Sequence, residues 1–261
     1  EDIEKARSLQ RSIRVTAPRA HPTERTTRVG RPTTIDKAGA GFFAELKSYV
    51  ELDPPAHWHP TLSKDAQAII ENPDSISAEV LAAGVKEGEK LIRGRNAAGT
   101  VHKNGWHTGR SATGFDGDIL KRAAGAKFGL GGHQAIENRS YIVQSDALGN
   151  RPDGSTPLML RFEADALPPC HAFWSLTAYG MDMYLIENEI DRWSISDRTP
   201  GLVYGEDGSL TIIISATRPT QTSNWLPVPA GPYMMGMRVY EGHREVIDCD
   251  WFPPALTPSD H

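Results

Sequence analysis

The chain has few cysteines, no excess of basic residues and no long hydrophobic run. Its 261 residues include only Cys170 and Cys249, which excludes a small scaffold held together by several disulfides. With 28 basic and 33 acidic residues the formal net charge is -5. This balance argues against binding to nucleic acid, because proteins that bind the phosphate backbone usually carry a basic excess. No run of about 18 apolar residues occurs, so we expect no transmembrane segment.

The composition is that of an ordinary globular protein, with 39% hydrophobic and 23% charged residues, 24 glycines and 19 prolines. It excludes a largely disordered chain and a collagen-like repeat. The length is sufficient for one large domain or two smaller ones. Because the chain begins at Glu1 without an initiator methionine, we expect a processed or truncated product, and we favour a secreted or periplasmic location.

Residues 1–35 predict an arm or linker, and residues 36–138 predict a mainly helical region. The arm is rich in arginine and threonine and shows no sustained apolar period after a helix over residues 2–12. Apolar residues then recur at helical spacing at Phe42, Phe43, Leu46, Tyr49 and Val50. Further helices are predicted over 63–71, 77–93 and 116–128. The residues expected to face inward on the last of these are Ile119, Leu120, Ala123, Ala124 and Phe128.

The periodicity changes near Arg139, from a helical repeat to alternation with period two. Turn residues separate the alternating segments, and no helical pattern lies between them. The first predicted strand begins with Tyr141, Ile142 and Val143, and the last covers residues 233–240. The apolar positions that alternate between them are Leu158, Leu160, Phe162, Ala172, Trp174, Leu176, Ala178, Leu210, Ile212 and Ile214. We therefore predict an α+β protein in which residues 139–258 form an antiparallel, jelly-roll-like β-sandwich after the helical region.

Several motifs in this second half resemble the signature of the domain of unknown function 1214 family. They are, in order, Phe173-Trp174-Ser175-Leu176-Thr177-x-Tyr179, Asn188-x-Ile190-x-Arg192, Ser196-Asp197-Arg198-Thr199-Pro200-Gly201-Leu202, Asp207-Gly208-Ser209-Leu210, Asn224-Trp225-Leu226-Pro227-x-Pro229-x-Gly231-Pro232, Arg238-x-Tyr240 and Trp251-x-Pro253-Pro254. Each motif is weak alone, and their shared order makes the resemblance specific. It extends over most of residues 36–258.

The resemblance implies helices followed by a jelly-roll-like sandwich, and it implies no settled reaction. Longer members of the family carry an upstream companion, the domain of unknown function 1254, whose features we expect to be absent from this chain. Two positions depart from the family pattern. Gly180 stands where an aspartate usually follows the first motif, with Asp182 two residues further on, and Trp193 replaces the usual tyrosine after Arg192.

Motifs of known catalytic or metal sites are absent from the sequence. It contains no Gly-x-Ser-x-Gly, no His-Glu-x-x-His, no Walker loop and no EF-hand loop. His57 and His59, joined by His102 or His107, have ligand types suited to zinc or copper, and the alternative is that they are ordinary loop histidines. We predict no bound metal and no cofactor.

A turn with acidic and amide side chains offers a second interpretation in terms of a cation. Asp146, Asn150 and Asp153 carry the oxygen ligands that calcium prefers, while turns of this composition equally form side-chain-to-backbone hydrogen bonds. The sequence alone leaves both interpretations open.

Polar and aromatic residues within the strands are the strongest candidates for a site. A charged side chain beside apolar positions must be paired or must face a wet cavity. The predicted ligand-binding residues are Arg139, Tyr141, Trp174, Arg192, Asn224 and Trp225, with Asp182 as the candidate acid or base. The alternative is a structural network in which the arginines lock loops and the tryptophans belong to the core.

Two functions remain open from the sequence. The first is a binding module of the cell envelope, or a secreted one, with a polar and aromatic pocket in the sandwich. The second is a hydrolase or lyase that uses acid and base groups of the sandwich on a sugar or small organic acid. The expected partners are a small molecule or sugar, and self-association into a homo-oligomer is a further option.

Overall fold

The computed structural model of the protein describes residues 2–14, 39–52, 63–109, 117–129 and 131–259. The chain forms two compact units, Glu1–Glu89 and Lys90–His261. Residues 15–35 of the predicted arm, together with His57 and His59, lie outside the described residues.

The first unit is helical where it is described. Its elements are α1 (Asp2–Ser12), α2 (Gly41–Leu52), α3 (Lys64–Glu71), a short 3-10 turn (Pro73–Ser75) and the beginning of α4 (Ala78–Ala98). Ser63 caps α3, because its side-chain oxygen accepts a hydrogen bond from the Ala66 amide at 3.2 Å. The Lys47 ammonium of α2 donates to the Glu71 carbonyl at the end of α3, at 2.9 Å. The predicted helices over 63–71 and 77–93 are both present.

The second unit is built from two facing β-sheets. The larger sheet has the strand order β1-β2-β3-β9-β5-β6, and the smaller has the order β10-β4-β7-β8. The strands are β1 (Thr100–Lys103), β2 (Trp106–Gly109), β3 (Asn138–Val143), β4 (Leu158–Phe162), β5 (Cys170–Tyr179), β6 (Ser194–Ser196), β7 (Leu210–Ser215), β8 (Trp225–Pro227), β9 (Met234–Gly242) and β10 (Thr257–Pro258). The predicted fold class, helices followed by a β-sandwich, is confirmed.

The core lies between the two sheets and is made by the inward positions of the alternating strands. The residues predicted to be inward are buried: Trp174, Leu176, Leu210, Ile212 and Ile214. They share one cluster with Tyr141, Leu158, Leu160, Phe162, Ile195, Leu226, Met235, Met237 and Val239. Because successive side chains of a strand point to opposite faces, this burial fixes which residues line the outer face of the larger sheet.

One pairing in the smaller sheet differs from the predicted antiparallel arrangement. β8 runs parallel to β7, with Ile213 opposite Trp225 and Ser215 opposite Pro227. The connection between them spans residues 216–224, which carries the chain back so that β8 enters the sheet in the same direction as β7. Among the described strands the other pairings are antiparallel.

Two helices of the second unit lie outside the sheets. α5 (Ile119–Phe128) begins at Asp118, whose carboxylate accepts a hydrogen bond from the Lys121 amide at 2.8 Å. The inward face predicted for this helix is wrong: Ala124 is buried, but Ile119 is 65% exposed and Phe128 is 44% exposed. The Phe128 ring packs under the Arg93 guanidinium and not against the core.

α6 (Arg244–Ile247) follows β9 directly. No helix among the described residues is long and apolar enough to cross a membrane.

A hairpin formed by β1 and β2 extends the larger sheet within the region predicted to be mainly helical. Its two-residue turn is Asn104-Gly105, and both residues have positive φ, 55° and 78°. Asn-Gly is the sequence that such turns favour, because glycine adopts positive φ without steric cost. The turn also contacts the segment after β3, since the Gly105 carbonyl accepts a hydrogen bond from the Gln144 amide at 2.7 Å.

We expect Gly105→Ala to lower the free energy of unfolding by more than about 1 kcal/mol. A Cβ at this position would lie 2.2 Å from the Ser145 carbonyl oxygen, so the backbone would have to move. Gly149→Ala is the matched control, because Gly149 also has positive φ, 87°, but has nothing within 4 Å of its Cβ position. Urea unfolding of both variants measures the difference. Equal destabilisation would show that the contact with Ser145 carries no cost.

Candidate functional site

Arg139, a predicted ligand-binding residue, lies in the interior of the second unit. It is 2% exposed, and its guanidinium donates hydrogen bonds to the backbone oxygens of Gly109 and Ile247 and to the hydroxyl of Thr108. A buried guanidinium requires acceptors, and here backbone carbonyls supply them. The Arg139 side chain therefore forms hydrogen bonds with both β2 and α6.

Tyr141 and Trp174 belong to the core between the sheets. They are 0% and 3% exposed. The Tyr141 hydroxyl donates to the Trp251 carbonyl at 3.1 Å, and burial raises the pKa of Tyr141 well above its usual range. Trp174 packs against Phe162 of the smaller sheet, with ring centroids 6.0 Å apart. Both aromatic side chains fill the space between the sheets.

Arg192, Asn224 and Trp225 come together at the start of β8. One terminal nitrogen of Arg192 donates to the backbone oxygens of Thr222, Ser223 and Trp225, at 2.6, 3.0 and 3.0 Å. The Asn224 side-chain amide donates to the carbonyls of Val203 and Thr211, and the Trp225 indole donates to the Ser215 carbonyl. Backbone acceptors thus occupy these side chains, which fix the loop that leads into β8.

Asp182, the candidate acid or base, lies in the tight turn after β5. Its Oδ1 accepts a hydrogen bond from the Tyr184 amide at 3.1 Å, and the residue is exposed. A Cβ at Gly180 would lie 2.7 Å from Asp182 Oδ1, so a side chain at residue 180 would displace the Asp182 carboxylate from its present position.

The structure describes only two of the four possible histidine ligands, since His57 and His59 lie outside the described residues. His102 and His107 stack across the β1–β2 hairpin with ring centroids 5.8 Å apart, and burial lowers the pKa of His107, an effect to which His102 adds. His102 Nδ1 is 3.0 Å from the Gln144 side-chain oxygen. In the part of the chain that the structure describes, no group of three or more histidine, cysteine, aspartate or glutamate residues could hold a metal ion.

The acidic turn forms side-chain-to-backbone hydrogen bonds. Asp146 accepts hydrogen bonds from the amides of Leu148 and Asn150 and from the Asn150 side chain. Burial acts to raise the pKa of Asp146, but these hydrogen bonds outweigh it and lower the pKa. Asp153 separately accepts a hydrogen bond from the Ser155 amide at 2.9 Å. These contacts are those of Asx turns.

A cleft of about 810 Å³ lies at one end of the larger sheet, where β5 begins and β9 ends. Its volume is in the range of small-molecule sites. Its lining consists of Ile136, Glu137, His171, Ala172, Phe173, Tyr240, Glu241, Gly242, His243, Arg244 and Ile247. The residues predicted from sequence to bind ligand, and Asp182, are not part of this lining.

A β-bulge shapes the floor of the cleft. Cys170 lies opposite Gly242 and Phe173 lies opposite Tyr240, so β5 has one more residue than β9 in this interval. Glu241, at the bulge, has a φ of 49°, which non-glycine residues rarely adopt. Bulges and such backbone conformations are over-represented next to functional sites, where they redirect side chains.

A stacked aromatic pair forms one wall of the cleft. The rings of Phe173 and Tyr240 are nearly parallel, at 15°, with centroids 4.2 Å apart. The Arg198 guanidinium carbon lies 4.3 Å from the Phe173 centroid, and the same side chain donates to the Ala172 carbonyl. Because β9 and β6 flank β5, Tyr240 and Arg198 approach Phe173 from opposite sides. The pair is therefore held rigidly against the sheet.

Ionisable groups line the rest of the cleft. The rings of His171 and His243 have centroids 4.4 Å apart. The carboxylates of Glu137 and Glu241 share the cleft with Arg244, whose guanidinium pairs with the Asp248 carboxylate. Imidazole nitrogens form hydrogen bonds both as donors and as acceptors, so the pair can bind polar groups of a ligand.

Cys170 adjoins the cleft without the properties of a nucleophile. Burial raises the pKa of the Cys170 thiol, and the Asp197 carboxylate adds to this effect. The thiolate is the reactive form, and a raised pKa makes it scarce at neutral pH.

The cleft was not predicted from the sequence, although a signal for it was available. Phe173 and Tyr240 lie in the quoted motifs, at the outward positions of the same alternation that places Trp174 and Val239 inward. The inward tryptophan is the more conspicuous residue of its motif. An aromatic side chain at an outward strand position was nevertheless the informative one, since such positions are usually polar.

The facing sheets, with helices ahead of them in the chain, define an α+β protein with a β-sandwich. Residues 137–244 match the model of the family described as "Protein of unknown function (DUF1214)". The family resemblance read from the sequence is thereby confirmed. Both Phe173 and Tyr240, and most of the cleft lining, fall within the matched residues.

One solved structure supports the fold. The VPA0106 protein from Vibrio parahaemolyticus is 20% identical with a TM-score of 0.56, and the match covers 98% of this chain and 61% of that one. An uncharacterized protein from Burkholderia cenocepacia is 16% identical with a TM-score of 0.38, covering 78% of this chain and 46% of that one. This chain thus spans less than two thirds of the length of either. No curated protein matches the chain.

Proposed function

We propose that the protein is a binding module whose ligand site is the cleft at the end of the larger sheet. The observation that carries this proposal is the stacked pair of Phe173 and Tyr240 in a cleft of about 810 Å³. Because Tyr240 and Arg198 cover the two faces of Phe173, Tyr240 is the ring of the pair on which a ligand can stack. Such a ring beside hydrogen-bonding groups suits a ligand that contains a ring itself, such as a sugar or an aromatic compound.

The polar lining supports a ligand with hydroxyl or other hydrogen-bonding groups on its ring. His171 and His243 present ring nitrogens, and Glu137 and Glu241 present carboxylate acceptors. Sugars combine an apolar ring face with hydroxyls at its edge, and this lining offers both kinds of contact. The site therefore differs in place from the pocket predicted between the sheets, while the proposed ligand class is the same.

Thermal-shift measurements against sugars and aromatic acids test the proposal. A ligand at about 100 times its Kd stabilises the native state by about 2.7 kcal/mol, which raises Tm measurably. We expect Tyr240→Ala to weaken binding of any such ligand by up to about tenfold, because it removes one stacking surface. Tyr204→Ala is the control, since Tyr204 is 43% exposed and is not part of the cleft lining. Equal binding by both variants would contradict the cleft as the site.

The histidine pair favours a second function, that of a hydrolase or lyase. With ring centroids 4.4 Å apart, His171 and His243 could act as acid and base on one bound molecule. The proton-transfer groups would then be histidines of the cleft and not Asp182. Turnover of a ligand found in the thermal-shift screen, lost in His243→Gln with binding retained, would establish the enzymatic role. Retention of ligand without turnover supports the binding module.

A secreted or cell-envelope location and self-association stay predictions. Fractionation of the producing cells tests the first, and sedimentation of the purified protein tests the second.

A further inference from the structure

Arg238 occupies the centre of the outer face of the larger sheet without a carboxylate partner. It lies on β9 between Ser140 of β3 and Ser175 of β5. Its hydrogen bond goes to the Tyr179 hydroxyl, at 2.8 Å from Nη1. No carboxylate among the described residues lies within ion-pairing distance of its guanidinium. A guanidinium has five N–H donors, so most of its donors have no protein acceptor.

Several other arginines have carboxylate partners or more than one backbone acceptor. Arg95, Arg161 and Arg244 pair with carboxylates, and Arg139 and Arg192 donate to several backbone oxygens. Arg238 is half-buried like Arg192, yet its neighbours on the sheet are hydroxyls. A cation in that position is suited to an anion that the protein itself does not supply.

Tyr179 adds a second hydrogen-bond donor beside the Arg238 guanidinium. Because its hydroxyl oxygen accepts the hydrogen bond from Arg238, its own proton remains available to a ligand. The Arg238 guanidinium carbon also lies 5.7 Å from the Tyr179 ring centroid, which holds the guanidinium over the sheet. The two residues therefore present adjacent donors, as the two oxygens of a carboxylate require.

Asn138, opposite the cleft residue Tyr240, carries a further donor that has no partner among the described residues. The Asn138 side chain is buried, and its nitrogen has no partner in the structure, while its oxygen accepts a hydrogen bond from Ser140. Asn138 lies directly opposite Tyr240, and Ser140 lies directly opposite Arg238. On the outer face of the sheet, Asn138 thus lies beside Tyr240, and Arg238 lies two residues before Tyr240 on β9.

The charges of the cleft set the direction of a ligand. Glu137 and Glu241 line the cleft together with one guanidinium, that of Arg244, which is already paired with Asp248, so the carboxylates disfavour an acid group at that end. Same-face residues of a strand are about 6.6 Å apart, so the Arg238 side chain, extending to Tyr179, places its guanidinium about 13 Å from the aromatic pair. A ligand that reaches both must be elongated.

We infer that Arg238 and Tyr179 form an oxyanion subsite, and that the ligand is an elongated acid with its ring on Tyr240. This inference rests on the proposed function for the position of the ring, whereas the oxyanion subsite stands on Arg238 and its surroundings. A carboxylate about 10 Å from a ring has the required length.

The test compares 6-phenylhexanoate with its neutral counterpart 6-phenylhexan-1-ol by calorimetry. We expect the acid to bind about tenfold more tightly, because hydrogen bonds to charged groups are stronger than neutral ones. Arg238→Met should remove that difference, and Tyr179→Phe, which keeps the guanidinium in place, should reduce it. Arg161→Met is the control, because Arg161 lies on the smaller sheet and pairs with Glu163. Far-UV circular dichroism confirms that each variant folds.

Nuclear magnetic resonance of the Arg238 Nε–H group distinguishes failure of the oxyanion subsite from failure of the cleft as the ligand site. We expect saturable shifts with 6-phenylhexanoate and, at higher concentration, with acetate, but none with the alcohol. If alcohol and acid bind equally and the Arg238 signal does not move, the oxyanion subsite is wrong and the cleft stands. If neither ring compound binds but acetate shifts Arg238 saturably, the cleft proposal fails and the oxyanion subsite stands. Absence of any shift with either anion overturns the subsite.

Discussion

Replacing Trp174 with alanine is expected to lower the free energy of unfolding by about 3–5 kcal/mol. Trp174 is 3% exposed and packs against Phe162 across the space between the sheets, so truncation leaves a cavity that the two sheets cannot close. Urea unfolding followed by far-UV circular dichroism measures the change without relying on tryptophan fluorescence.

Trp193→Ala is the matched control for this experiment. Trp193 is 39% exposed, so the same truncation removes less buried surface and is expected to cost much less. Equal urea midpoints for the wild type and Trp174→Ala would contradict the placement of Trp174 in the core.

Arg192→Leu is expected to destabilise the protein by about 2–3 kcal/mol. The substitution leaves the backbone oxygens of Thr222, Ser223 and Trp225 without their shared donor. These oxygens belong to the loop that brings β8 alongside β7, so the loss loosens the edge of the smaller sheet. Thermal and urea unfolding both measure the effect.

Arg218→Leu serves as the control, because Arg218 forms a surface ion pair with Glu189 in which both side chains are more than half exposed. Exposed pairs of this kind contribute at most about 1 kcal/mol. If Arg192→Leu were no more destabilising than Arg218→Leu, and ligand binding were lost, Arg192 would belong to the site and not to the framework.

The strands that the sequence predicted are those with strong apolar alternation. β4 and β7 alternate over their whole length, so their existence and inward faces follow from the pattern alone. β1 could not be found in this way, since Thr100–Lys103 has two half-buried and two exposed residues and no apolar alternation. β8 is only three residues long and buried throughout, which gives no period at all.

The candidate site was harder to predict than the strands, because it depends on contacts between residues that are far apart in the sequence. Desolvation correctly indicated that Arg139 and Arg192 need partners, but those partners are backbone oxygens, which every residue carries and no motif marks. The bulge between Cys170 and Phe173 depends on pairing with β9, some 70 residues later in the chain, so the sequence of β5 alone cannot reveal it. The cleft exists because of that pairing.

The position of β9 has a consequence for how the chain folds. β9 is the last long strand, yet it lies in the middle of the larger sheet, where it pairs with both β3 and β5. A nascent chain that ends before residue 234 therefore holds β3 and β5 with no strand between them. Pairings of such large sequence separation give a high contact order, for which folding in milliseconds to seconds is typical. Since β9 also supplies Tyr240, the cleft is complete only after β9 has been inserted.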